Sequence, residues 1–196
     1  NPEVIQYAVA HSDASLANTV HFQCGDWVSE ACTGRYDLIV GRCILMYLDD
    51  PPSTLQSLIS ALRPGTVIAF QEPDHRSHMR TIPESEEFSE MAHGIENAAR
   101  SKSIKVSLGL TLEGIIRTAG FDVFCHHRAG RVDAGPDSRV YDLLAQTAFS
   151  IPGALENCKS VPATSADLSA RLRDVACQKE LQILTSTLVG IGGRVR

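Results

Sequence analysis

Apolar positions along this chain alternate between two spacings, and the places where the spacing changes mark its elements. Val4, Ile5, Ala8 and Val9 recur at helical spacing after Asn1-Pro2-Glu3, which supplies an N-cap, a proline in the first turn and an early acid. This first helix is expected to end near His11-Ser12. Residues 20–24, VHFQC, read as a short strand stopped by Gly25-Asp26, and residues 27–35 as a loop or short helix. Residues 36–40 form an apolar strand, followed by a turn at Gly41-Arg42 and a short apolar segment. Met46, Tyr47 and Leu48 in that segment are expected in the core. Asp49-Asp50-Pro51-Pro52 is helix-start chemistry, because acids favour the positive helix end and proline suits the first turn. The helix over 52–62 turns Leu55, Leu58, Ile59 and Leu62 to one side, and Arg63-Pro64-Gly65 ends it.

Residues 66–70 are a third apolar strand, closing at Gln71-Glu72-Pro73-Asp74. A polar stretch, 75–106, contains a helix over 83–99. Thr111 caps a further helix with Leu112, Ile115, Ile116 and Ala119 inward and Gly120 just past its end. A fourth strand begins at 121–126, two helices occupy roughly 138–150 and 165–179, and a last β-branched strand covers 183–189. Strands alternating with helices predict an α/β fold with a mainly parallel sheet. Continuously apolar strands predict a sheet covered on both faces. Ligands of such sheets sit outside the carboxyl ends of the strands. That rule singles out Gly25-Asp26-Trp27, Gly41-Arg42-Cys43 and the stretch from Gln71 to His75.

Composition narrows the classes. The formal net charge of −5 argues against nucleic acid as a partner, since phosphate binding needs a basic face. The apolar run of 36–48 is interrupted and short of the ~20 residues that cross a bilayer, so no membrane partner is expected. Six cysteines, with no CxxC pair, read as free thiols of a reducing compartment. No charged-then-apolar leader opens the sequence, and a cytoplasmic location is expected. Glu84, Glu86, Glu87 and Glu90 read as a solvated helix face. Asp74, His75 and His78 have metal-ligand chemistry but weak spacing, and no metal site is expected. His126 and His127 on one strand point to opposite faces and make no joint site. GIGG at 190–193 fails as a nucleotide loop because no helix follows to receive a phosphate.

The ordered set NPEVIQYA, VHFQCGDW, YDLIVGRCILMYLDDP, LISALRPGTVIAFQEPD and TLEGIIRTAGFDV resembles the class I S-adenosylmethionine-dependent methyltransferases over about residues 1–125. LTSTLVGIGGRV resembles that family's last strand. The resemblance implies a Rossmann-like three-layer sandwich, S-adenosylmethionine as cofactor and a small-molecule methyl acceptor. It implies that Asp26, after Gly25, accepts from the adenine amine, with Trp27 as an apolar or stacking wall. Gly41, Arg42 and Cys43 would run beside the methionine part of the cofactor, with Arg42 able to pair with a carboxylate. Cys43 reads as a small packed residue rather than a nucleophile. His75 is the candidate general base wherever the acceptor must lose a proton. The segments 75–106 and 138–179 would be inserts that form a substrate lid.

The family's glycine-rich loop and ribose-binding acid lie upstream of the helix matched by NPEVIQYA. Residues 1–196 are therefore expected to be a partial methyltransferase-like domain with its first two strands missing, which leaves the strand at 20–24 without a neighbour. The alternative is a non-catalytic methyltransferase-like partner protein, whose open sheet edge another chain, or another copy in a homo-oligomer, would cover. A nicotinamide-dependent oxidoreductase would need GxGxxG after a strand, and this sequence has none.

Overall fold

A computed structural model describes residues 2–16, 18–75, 80–156, 158 and 162–196. Asn1, expected as an N-cap, and His78, weighed as a metal ligand, lie outside the described residues. In chain order the elements are α1 (Pro2–His11), α2 (Trp27–Ala31), β1 (Leu38–Arg42), α3 (Pro51–Ala61), β2 (Val67–Asp74), β3 (Arg80–Ile82), α4 (Glu86–Ser101), α5 (Leu112–Thr118), β4 (Asp122–Ala129), β5 (Val132–Asp133), α6 (Val140–Ser150), α7 (Ser165–Gln178), β6 (Gln182–Leu184) and β7 (Thr187–Arg194).

The main sheet has the order β1-β2-β7-β4. β1 and β2 are parallel, and β7 runs antiparallel to both β2 and β4, so three of the four strands point one way. Local chemistry sets the ends of the helices beneath it. Asp50 caps α3 by accepting from the Ser53 N–H at 3.1 Å, with Pro51 next in line. Gly120 takes φ +103°, which ends α5 and lets Phe121 turn down into the core.

Alternate residues of the strands form one apolar layer. Ile68, Phe70, Val189 and Ile191 are buried against Leu55 and Leu58 of α3 and Leu112 and Ile116 of α5. Burial of such side chains is worth ~1.5–3 kcal/mol each, and it fixes the strand register, since a slip of one residue would turn them all outward. The opposite face is different. Leu38 is 54 % exposed, Val40 68 % and Phe124 59 %. Two layers of the Rossmann-like sandwich are thus present among the described residues, the sheet and the helices on one face.

A second core lies above the carboxyl end of β2. β3, β6 and β5 pair antiparallel in that order. Ile183 from this small sheet packs with Phe88 and Met91 of α4, Tyr141 and Leu144 of α6, and Leu172 of α7. Thr164 caps α7: its hydroxyl oxygen accepts from the Asp167 N–H at 3.1 Å while donating to the Asp167 carboxylate at 2.7 Å. Thr164→Ala is expected to lower unfolding free energy by about 1 kcal/mol, read from the urea midpoint at constant m-value. A shift within experimental error would mean that the cap is idle.

Several expectations need correction. Residues 20–24 form no strand: among the described residues no strand pairs with them, and Val20 and Phe22 are exposed. The strand expected at 36–40 starts later and runs through Gly41-Arg42, so the turn falls at Cys43, where φ is +50°. It is covered on one face only. β2 extends to Asp74 because Thr187 pairs with it there. The single strand expected at 183–189 is two strands in two sheets, and residues 190–193 lie inside β7. Met46 is buried and Leu48 half-buried as expected, but Tyr47 is 63 % exposed. The Thr111 hydroxyl makes no cap and bonds back to the Leu108 carbonyl instead. All six cysteines are free.

Candidate active site

Asp26 begins α2. Its carboxylate accepts from the Val28 N–H at 3.1 Å, the Ser29 N–H at 3.3 Å and the Ser29 hydroxyl at 2.5 Å. The Ser29 hydroxyl, and then the Val28 N–H, hold its carboxyl below the usual range. Asp26 is therefore an N-cap, as Gly25-Asp26 turn chemistry favours, and the cap fixes where Trp27 stands. The indole sits 6.0 Å from the Phe70 ring, tilted by 59°.

Trp27 and Gly41 share one groove, while Gly25, Asp26, Arg42 and Cys43 are not among its lining residues. The groove, about 210 Å³, is lined by Trp27, Tyr36, Val40, Gly41, Ile44 and Phe70 among others. It runs beside β1, the strand at the sheet's edge. Gly41 is required there by packing: a Cβ would stand 2.6 Å from the Phe70 ring and 2.7 Å from Ile44. The close approach at Gly41 is thus to a side chain of the core. Arg42 is exposed at the end of β1, and Cys43 follows, half-buried. Burial, and then the Glu72 carboxylate, push the Cys43 thiol up, which suits a packed residue better than a nucleophile.

His75 is elsewhere. It is half-buried just beyond β2, where its Nδ1 is 2.8 Å from the Ser186 hydroxyl and its N–H donates to the Val106 carbonyl at 3.1 Å. It belongs to the junction between the two sheets and does not line the Trp27 groove.

Glu72 falls within the strand-end stretch from Gln71 to His75, but the sequence assigns it no role. Its carboxylate is completely buried, accepting from the N–H groups of Ile44, Leu45 and Met46 at 3.0, 2.9 and 3.3 Å. The available signal was periodicity. Ile68, Phe70 and Glu72 occupy one face of β2, and an acid in that series must have partners. Among the described residues no cluster of three or more His, Cys, Asp or Glu is placed to hold a metal, and no helix is long and apolar enough to cross a membrane.

Residues 1–126 match the family described as a methyltransferase domain. The trans-aconitate 2-methyltransferase of Deinococcus radiodurans is 34 % identical over 83 residues, which are 41 % of this chain and 31 % of that protein. The chain thus spans under a third of that curated relative's length. A solved structure from Bacillus halodurans C-125, assigned as a methyltransferase, superposes at TM-score 0.52 and 12 % identity over 99 % of this chain and 79 % of its own. A Galdieria sulphuraria structure assigned as a sarcosine dimethylglycine methyltransferase gives TM-score 0.46 and 17 % identity over 96 % of this chain and 63 % of its own. The ordered motifs, the β1-β2-β7-β4 sheet and the match over most of its length agree: this chain belongs to the methyltransferase-domain family, in its class I S-adenosylmethionine-dependent branch.

Proposed function

We propose that the protein transfers a methyl group from S-adenosylmethionine to a small molecule, and that the groove beside β1 forms one wall of its cofactor site. The observation that carries this reading is the convergence of Trp27 and Gly41, from separate elements, on one groove at the sheet edge. Trp27 offers the adenine a flat apolar wall, and Asp26 keeps a carboxylate at the start of the same helix. The backbone of Gly41, Arg42 and Cys43 passes the methionine end, with Arg42 as the cation available to a carboxylate of the cofactor or of the acceptor.

The cofactor supplies an electrophilic methyl group on a sulfonium. The protein's part is to hold the acceptor in line with that methyl and to exclude water from it, because alignment accounts for much of such a rate gain. Where the acceptor must lose a proton from a hydroxyl or amine, we assign that role to His75, which stands just beyond β2 and outside the groove. Its bond to Ser186 fixes the ring's orientation. The second core, built from α4, α6 and α7, stands above the carboxyl end of β2 and serves as the substrate lid.

Calorimetric titration of S-adenosylmethionine into the intact protein tests the reading. Trp27→Ala is expected to weaken binding about ten-fold or more, the scale of one lost aromatic stacking contact. Equal affinity for both proteins would remove Trp27 from the site. Absence of binding to the wild type would sink the proposal.

A further inference from the structure

Glu72 ties the groove's rim to the rigid centre of the sheet. A completely buried carboxylate is costly unless its oxygens are bonded. Here they bond across the fold, to three consecutive backbone N–H groups more than twenty-five residues away in sequence. Those groups lie at the start of the one-turn 3₁₀ helix Leu45–Tyr47, whose first donors have no partners of their own within the turn. The same loop carries Cys43 in the left-handed region, at φ +50°. A non-glycine residue persists there only where its surroundings over-determine it. The restraints are on either side of Cys43: its own N–H donates to the Gln71 carbonyl at 2.8 Å, and the next three donate to Glu72.

Glu72 is itself pinned from behind. Gly109 packs so closely that a Cβ on it would stand 2.7 Å from the Glu72 carbonyl oxygen and 3.0 Å from that of Pro73. The chain at Glu72 cannot retreat, so the position of its carboxylate is set by β2 and passed to the loop.

We infer that Glu72 is a positioning residue: through the N–H groups of Ile44, Leu45 and Met46 it holds the Arg42–Ile44 backbone in the conformation that forms the cofactor groove's rim. The inference rests on the reading of that groove as a cofactor site. Burial pushes the Glu72 carboxyl above the usual carboxylate range, and the three N–H groups oppose that push. The three N–H groups of the rim need an acceptor, which leucine or methionine at this position would not supply.

The test is Glu72→Gln, which keeps the side chain's shape but presents an amide N–H₂ where one N–H needs an acceptor. Two quantities are compared with wild type in the intact protein: exchange of the Ile44, Leu45 and Met46 amides, and affinity for S-adenosylhomocysteine. Exchange at these amides is expected to accelerate about ten-fold or more while Val189 and Ile191 in the neighbouring strand stay unchanged, and affinity to fall about ten-fold. Glu72→Leu, which removes both the charge and the acceptors while keeping bulk, should give the same two changes together with a lower urea midpoint, because three N–H groups then lack an acceptor. Unchanged exchange in both variants would overturn the inference, and so would fast exchange with unchanged affinity. If the wild type binds no cofactor, the functional reading fails, and the amide exchange alone decides whether Glu72 sets the rim.

Discussion

Phe70→Ala is expected to lower the unfolding free energy by about 3–5 kcal/mol, the usual cost of deleting a buried aromatic ring. Phe70 is 2 % exposed and lies at the meeting point of three elements. It stands against Trp27 of α2, against Gly41 of β1, and opposite Ile191 of β7 in the register. Collapse into the vacated space is limited, because Gly41 has no side chain to lean in and Ile191 is held within a central strand. The cost should therefore fall at the upper end of the range. Urea unfolding measures it as a lower midpoint at unchanged m-value. The same variant removes the floor beneath Trp27, so cofactor affinity should fall with stability. A loss below about 1 kcal/mol would mean that the ring is not wedged between these elements.

Gly94→Ala should destabilise the second core even though helix propensity points the other way. Gly94 lies inside α4, where alanine is normally better than glycine by about 1 kcal/mol. A Cβ at this position would collide with the Ala154 carbonyl oxygen. That obstacle is backbone, and Ala154 is itself 1 % exposed, so no rotamer change relieves it. The α4 helix and the turn before α7 must separate, which costs about 3 kcal/mol, at the upper end of overpacking penalties, and outweighs the propensity gain. Thermal unfolding should show a lower midpoint. A raised midpoint would show that propensity wins and that the helix and the turn are not tightly apposed. Because Gly94 lies in the second core, far in sequence from the Trp27 groove, cofactor affinity below the transition should be retained. That contrast with Phe70→Ala separates the two cores experimentally.

Much of this was legible in the sequence because local chemistry and tertiary structure agreed. Asp50-Pro51 and Gly120 mark the ends of α3 and α5 by rules that act within a few residues, and the structure follows them. The alternation of strand and helix also gave the right sheet strands for β1, β2 and β4, though with shifted ends. What was not legible depends on distant partners. Residues 20–24 have strand-like composition, but strands need neighbours, and none pairs with them among the described residues. β3 and β5 are three and two residues long and exist only because β6 lies between them. Gly41 read as a turn because glycine favours turns; its actual reason is the Phe70 ring beside it. At the site, Trp27 is expected after a strand that does not form and Gly41 at a strand end that lies one residue later, whereas the role of Glu72 requires knowing which loop lies across from β2.

The place of β7 in the sheet has a consequence for biogenesis. β2 and β4 touch through β7 alone in the main sheet, yet β7 is synthesised more than fifty residues after β4 ends. Until it emerges from the ribosome, the central strand β2 has one free side and β4 has no partner in the main sheet. Ile68 and Phe70 must then wait beneath an incomplete roof. Such long-range pairing gives a high contact order, which slows folding and prolongs exposure of apolar strand edges. The protein is thus expected to complete its fold late in translation or after it, and to depend on chaperones in that interval more than a helical protein of equal length would.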